Sequence, residues 1–363
     1  MEGVVINQTF WRNKRVFLTG HTGFKGSWMS LWLNQLGAKV TGYALKPPTE
    51  INLYELAHVD SHVASHIADI RDIKKLRETL HAADPEIIIH MAAQPLVRES
   101  YKTPVETFEI NVMGTCNLME AARELKNLKS LLIVTSDKVY HNREWIWGYR
   151  EDDALGGYDP YSASKGCTEI VTQAFRNSFF NPKDYSAHKV AVASARAGNV
   201  VGGGDWAEDR LVPDLVRSVV KKEEVVIRNP EAVRPWQFVL EPVSGYLVLA
   251  QNLYEKGPEF AEAWNFGPAA GDEQTVGELL NKFKELWGPG FSWRLDSTKQ
   301  VHEAGLLGLD CTKTARRMHW RPKWNLERCM VETVRWYKTY IEQPKKLPDF
   351  TLQQIELYMK EKV

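Results

Sequence analysis

Two periodicities take turns along the first half of the chain. Short apolar runs are separated by longer segments in which apolar residues recur every three or four positions. RVFLTG (15–20) has the look of a buried strand. FKGSWMSLWLNQLG (24–37) predicts a helix, because Trp28, Leu31, Trp32 and Leu36 share one face and Gly37 can close its end. The same alternation predicts strands at 38–45, 61–69, 86–93, 131–135 and 189–196. Helices are predicted at 72–84, around 104–125 and from about 160 to 180. Strands that alternate with helices in this way imply an α/β fold, a doubly wound parallel sheet with helices on both faces.

After residue 197 the pattern loosens. A Gly-rich stretch, GNVVGGGDW (198–206), is followed by a helical segment at 211–222 and by the Pro-containing RNPEAVRPWQ. Further helices are predicted near 241–256 and 275–287, and over 312–342 with a break at Pro322. The sheet domain is expected to comprise 1–196 and about 236–258. A smaller mixed α/β substrate-binding lobe would then comprise 197–235 and 259–363.

Composition changes this picture little. The 363 residues are 44% hydrophobic and 25% charged, as in ordinary globular proteins. Lys+Arg and Asp+Glu both number 46, which argues against a nucleic-acid partner. No apolar run approaches the roughly 20 residues that span a bilayer, and MEGVVINQTF does not read as a signal peptide. Cys116, Cys167, Cys311 and Cys329 form no C-x-x-C pair and are expected to be reduced thiols, so the expected location is the cytoplasm. His58, His62 and His66 are spaced by four, but they fall on a strand-like run without a neighbouring carboxylate motif, and no metal is expected.

Candidate chemistry begins at TGHTGFKG (19–26), between the first strand and the first helix. Gly20, Gly23 and Gly26 are spaced by three, as a Rossmann-type dinucleotide loop requires. Gly20 permits a sharp turn, Gly23 a close approach to a pyrophosphate, and Gly26 the packing of helix on sheet. Thr22, Phe24 and Lys25 belong to the same expected cofactor site. The acid that ordinarily binds ribose at the end of the second strand is missing, since the chain there reads Gly42, Tyr43, Ala44, Leu45, Lys46. Asp69 with Ile70, at the end of the third strand, is expected at the adenine edge instead. NAD is the expected cofactor, with NADP left open by Lys46.

A second pattern is YSASK (161–165), which puts Tyr161 and Lys165 one helical turn apart. A neighbouring ammonium is expected to lower the tyrosine pKa and make it a base toward a sugar hydroxyl. Tyr185/Lys189 and Tyr358/Lys362 share the spacing, but only Tyr161 opens a helix soon after the strand end with Thr135 and Ser136.

TGxxGFxG, HMAAQP (90–95), NVMGT (111–115), Ser136 and Tyr161/Lys165 together resemble the extended short-chain dehydrogenase/reductase superfamily. Within it, HTGFKGSW, AAQPLVR, TSDKVY, NREWIWGYRE, GGYDPYSASKG, FRNSFFNP, RAGNVVGGGDWAEDR and RPWQFVLEP are similar to the CDP-glucose 4,6-dehydratase family, in which Lys stands where related dehydratases have Glu. That resemblance implies a lyase that uses NAD on CDP-glucose, in the first steps of 3,6-dideoxyhexose (O-antigen) synthesis. It implies catalytic roles for Ser136, Asp137, Lys138, Tyr161 and Lys165. It adds Ala92, Ala93, Gln94, Asn111 and Thr135 to the cofactor site. Gln94, Arg98, Asn199, Arg210, Arg234 and Trp236 are implied for the substrate. It also implies a homodimer or homotetramer built on the helices at 104–125 and 160–180. Three rivals stay open: a nucleotide-sugar 4-epimerase, which needs no acid–base pair beside the hydroxyl, a 4,6-dehydratase of another nucleotide sugar, and a non-catalytic NAD-binding regulator on the same fold.

Overall fold

A computed structural model describes residues 6–227, 229–269, 272, 274–289, 291–296 and 306–361. Six strands appear where the periodicity places them: β1 (Arg15–Thr19), β2 (Lys39–Ala44), β3 (Ala64–Ile67), β4 (Ile87–His90), β5 (Ser130–Val134) and β6 (Ala191–Ala197). They run parallel in the order β3-β2-β1-β4-β5-β6. The order reverses between β1 and β4, and ligands of such sheets bind in the crevice at that point, beyond the carboxyl ends of the strands.

The sheet is covered on both faces, which is why its strands read as unbroken apolar runs. Val16, Leu18, Leu132 and Val134 face one core with Trp28, Trp32 and Trp336. Their sequence neighbours Phe17, Leu131 and Ile133 face a second core with Leu76, Leu118 and Met119. Helix starts are fixed by local chemistry. The side chain of Asp72 accepts from Lys75 N–H and that of Asp159 from Ser162 N–H, and Pro160 occupies the first turn of the helix Pro160–Ser178.

Three features depart from the sequence reading. A seventh strand, Ala263–Phe266, pairs in parallel with β6 and so lies in the main sheet, although the sequence placed 259–363 in the lobe. Four residues bounded by loops carry no periodicity, and the open edge of β6 decides their state. The single helix expected at 104–125 is instead a series: Val97–Lys102, Pro104–Phe108, a π-helical turn at Glu109–Met113, and Gly114–Ala122. Finally, a helix at Leu347–Lys360 packs back on the helix Phe24–Gln35, with Tyr358 edge-on to Trp32 at 5.5 Å.

Between these elements lie small two-stranded pairings: Val200–Val201 with Gln237–Phe238, Val233–Arg234 with Gln274–Thr275, and Val225–Ile227 with Trp293–Leu295. Among the described residues no helix is long and apolar enough to cross a membrane. Nor is any group of three or more His, Cys, Asp or Glu placed to hold a metal ion.

Candidate active site

The glycine loop is shaped by what its glycines lack. Gly20 has a left-handed φ of +78°, and a Cβ there would lie 2.8 Å from the backbone nitrogen of Ala92. A Cβ on Gly26 would lie 2.0 Å from the carbonyl oxygen of Gly20. Gly23 caps the helix Phe24–Gln35 without a side-chain bond, so the first-turn N–H groups stay open to an anion. Thr22 Oγ1 donates to Leu45 O at 2.8 Å and ties the loop to the end of β2. Phe24 turns into the core. This cradle, with its free helix N-terminus, fits a dinucleotide pyrophosphate.

At the outer end of the loop, Asp69 is gripped by Arg71, whose Nη2 lies 2.7 Å away, and its carboxyl is held below the ordinary range chiefly by that bond. Ile70 is buried beside it. Gln94 and Asn111 are bound up with the protein itself. Gln94 Nε2 donates to Leu96 O and Thr107 Oγ1, and its Oε1 accepts from Leu96 N–H. Asn111 accepts from Gln94 N–H at 2.8 Å and donates to Gln94 O and Ser164 Oγ. Both side chains shape the loop that carries Ala92 and Ala93.

The segment after β5 converges on Tyr161. Thr135 ends the strand line, and Ser136, Asp137 and Lys138 follow in a single tight turn. Ser136 Oγ donates to Asp137 Oδ1 at 2.9 Å, and its hydroxyl favours the charged form of the Tyr161 side chain. Lys138 Nζ reaches Asp137 Oδ1 at 3.2 Å and Asn199 Oδ1 at 3.4 Å. Asp137 is 1% exposed, and its Oδ2 is buried without a partner among the described residues.

Tyr161 departs from expectation. Its pKa is raised rather than lowered, because burial outweighs the opposing cations. The first of those cations is Lys138, with Arg210 also contributing. Lys165 instead directs its ammonium to Val134 O at 3.4 Å, and burial, with Lys25 beside it, pulls its pKa down to about 7. Lys25 is itself lowered to about 8, first by burial and then by Arg210, with Asp137 opposing. The sequence assigned Lys25 to the cofactor, and the fold also brings it into the charge cluster of the reacting groups.

The substrate candidates divide. Arg210 pairs with Asp205 at 2.8 Å and faces Tyr161 and Lys25, and Arg98 pairs with Asp209 next to it. Asn199 contacts Lys138. Arg234 and Trp236 flank Pro235, which packs with Asp137 Oδ2 around Gly198, on and just after the short strand paired with Gln274–Thr275; Trp236 is buried with its indole N–H unpartnered among the described residues. Asp205, Glu169 and Arg196 were not singled out from the sequence. The GGGDW motif held the signal for Asp205, but Glu169 and Arg196 lie 27 positions apart and nothing local links them.

Comparison with known proteins fits this geometry. A family model described as GDP-mannose 4,6 dehydratase matches residues 17–333. A curated CDP-glucose 4,6-dehydratase from Salmonella typhimurium is 54% identical over 93% of this chain and 94% of its own. A UDP-glucose 4-epimerase from Mycoplasma pneumoniae is 22% identical over 90% and 97%. Among solved structures, a dTDP-glucose 4,6-dehydratase from Bacillus anthracis in complex with NAD shares the fold, with a TM-score of 0.74 at 22% identity over 92% of this chain and 99% of that one. The chain belongs to the GDP-mannose 4,6-dehydratase family, within the extended short-chain dehydrogenase/reductase superfamily.

Proposed function

We propose that this protein is an NAD-dependent lyase that converts CDP-glucose to CDP-4-dehydro-6-deoxyglucose. The observation that carries the reading is Asp137 and Lys138, side by side at the end of β5 and electrostatically coupled to the Tyr161 hydroxyl. An epimerase needs a base and a hydroxyl partner at carbon 4. It has no use for an acid and a base beyond them.

The roles follow from position. Tyr161 takes the proton from the 4-hydroxyl, and Ser136 holds that oxygen. Bound NAD supplies a hydride acceptor at carbon 4 and a hydride donor to carbon 6. With a ketone at carbon 4, the proton on carbon 5 becomes acidic and Lys138 removes it. Asp137 delivers a proton to the hydroxyl leaving carbon 6, and its unpartnered Oδ2 suits that task. Lys138 can act as the base itself or as a cation that steadies the enolate while water takes the proton. Lys165 and the open N-terminus of Phe24–Gln35 serve the cofactor, and Arg210 and Arg98 serve the diphosphate of the substrate. Cytidine specificity is supported by the Salmonella relative.

A dimer or tetramer is supported by the exposed Val105, Met113 and Ile170 on the paired helical segments. Turnover against CDP-, dTDP- and GDP-glucose tests the whole reading. A 4-keto-6-deoxy product from CDP-glucose supports it. CDP-galactose would mean an epimerase, and no turnover of any sugar nucleotide a non-catalytic binder.

A further inference from the structure

Directly behind the reacting groups lies a buried ion pair that the reaction does not touch. Glu169 and Arg196 are each 4% exposed in their side chains and 2.9 Å apart. Glu169 lies four residues after Lys165 and eight after Tyr161, so the three share one face of the helix Pro160–Ser178. Every bond of its carboxylate is internal. Oε1 accepts from Thr135 Oγ1 at 2.5 Å, and Oε2 accepts from Ser194 Oγ at 2.6 Å and from Arg196. Arg196, near the end of β6, donates onward to Tyr140 Oη at 2.8 Å and Glu151 O at 2.9 Å. Tyr140 Oη in turn donates to Asn265 Oδ1 on the seventh strand at 2.7 Å.

Stability alone is a poor account of this cluster. Well-packed apolar residues of the same volume often serve a core as well as a buried ion pair does. They cannot supply a fixed negative charge one helical turn from a buried ammonium, nor a fixed acceptor for Thr135.

We propose that Glu169, locked by Arg196, is a positioning residue. It pins Thr135, which leads into Ser136–Asp137–Lys138, and it fixes a negative charge one helical turn from the Lys165 ammonium. The inference rests on the function proposed above.

The charges around Lys165 agree with this role. Lys25 on the helix Phe24–Gln35 disfavours its charged form, and Glu169 favours it. His90 on β4 is neutral, lowered to about 3 by burial and by Lys165 itself. Tyr161 shares the helix, and Asp137 and Lys138 face Tyr161 from the turn after β5. Arg196 and Arg176 face Glu169. Although burial pushes the other way, Arg196 and the hydrogen bonds from Ser194 and Thr135 hold the Glu169 carboxyl below its ordinary range, so it is charged throughout the working pH.

The test uses the full chain with NAD and CDP-glucose, comparing wild type with Glu169→Gln, Glu169→Asp and Glu169→Gln/Arg196→Gln. Circular dichroism establishes folding, and the double variant covers the case in which a lone Arg196 prevents it. Glu169→Gln should lower kcat by about tenfold or more, with little change in KM, because a small misplacement near the chemistry is costly. Its alkaline limb should move down by about one pH unit, as a lost neighbouring charge dictates. Glu169→Asp should restore the limb but not the full kcat. Independently of turnover, acylation of Lys165, followed by peptide mass spectrometry across pH, should show a lower midpoint in both Gln variants. A fall in kcat equal at every pH, with an unmoved labelling midpoint, would overturn the proposal and leave a structural role. If wild type does not turn over CDP-glucose, the functional reading fails. The labelling midpoint then decides the electrostatic claim alone, an unmoved one overturning it.

Discussion

Two carboxylates, Asp137 and Glu241, are equally hidden from solvent and otherwise opposite. Glu241 is 0% exposed, and both its carboxylate oxygens accept hydrogen bonds. Its Oε1 takes Lys323 N–H at 3.0 Å and Trp324 N–H at 2.8 Å, and its Oε2 takes Tyr358 Oη at 2.6 Å. Tyr358 and Trp320 both meet Ser244, so Glu241 and Ser244 together tie the C-terminal helix to the helix Leu240–Lys256. Asp137 has Ser136 and Lys138 on one oxygen and nothing among the described residues on the other. A buried acceptor left unsatisfied costs about 1–3 kcal/mol, which a structural site avoids and a substrate hydroxyl can offset. Satisfaction, not burial, separates the acid that holds the fold from the acid that waits for a ligand.

That contrast can be broken most severely at the open site. Tyr161→Phe removes the base for carbon 4 and should reduce turnover by about 10³-fold or more, with an unchanged circular dichroism spectrum. Near wild-type turnover would take Tyr161 out of the mechanism. Asp137→Asn keeps the shape but not the proton, so loss of the carbon 6 hydroxyl should slow by about 10²-fold while oxidation at carbon 4 survives. Mass analysis of quenched single turnovers would show a 4-keto sugar that retains its oxygen at carbon 6; equal slowing of both steps would contradict the assignment. For Lys138→Ala, the same 4-keto sugar should accumulate and deuterium from heavy water should enter carbon 5 much more slowly. Normal exchange would make Lys138 a bystander.

The smallest effect belongs to the satisfied acid. Burial raises the Glu241 carboxyl from 4.5 to about 7. Because its folded pKa lies above the unfolded one, the folded state holds the proton more tightly. Stability therefore falls as pH rises from about 4.5 to about 7, by on the order of 3 kcal/mol at most. Glu241→Gln carries no charge and keeps an acceptor for the two N–H groups. Its melting temperature should fall less than that of wild type across this window. Parallel profiles would show that Glu241 does not titrate there.

Much of this was legible in the chain. β1, the glycine loop and the helix after it are local in their causes, and so is the run from Thr135 to Lys138. Tyr161 and Lys165 lie beside the strand end that pointed to them, but their electrostatics were not legible, because burial depth is a property of the whole fold. Ala263–Phe266 became a strand only because β6 offered an edge. The amides of Gln94 and Asn111 resemble ligand-binding groups in sequence, and the structure gives them to the backbone of their own loop.

The π-helical turn at Glu109–Met113 holds one residue more per turn than the helix around it needs. The Asn111 carbonyl accepts from Thr115 Oγ1 at 2.7 Å and Thr168 Oγ1 at 3.0 Å, while its side chain clasps Gln94. Deleting one residue here would let the helix close into regular α geometry, an apparent repair. It would also swing Asn111 about 100° around the axis, away from both the glycine-loop side and the helix that bears Tyr161. A gene in this lineage that lost a single codon in the segment would encode a smoother helix and a slack cofactor loop. A screen for thermal tolerance alone would keep it, and a screen for formation of the product would not.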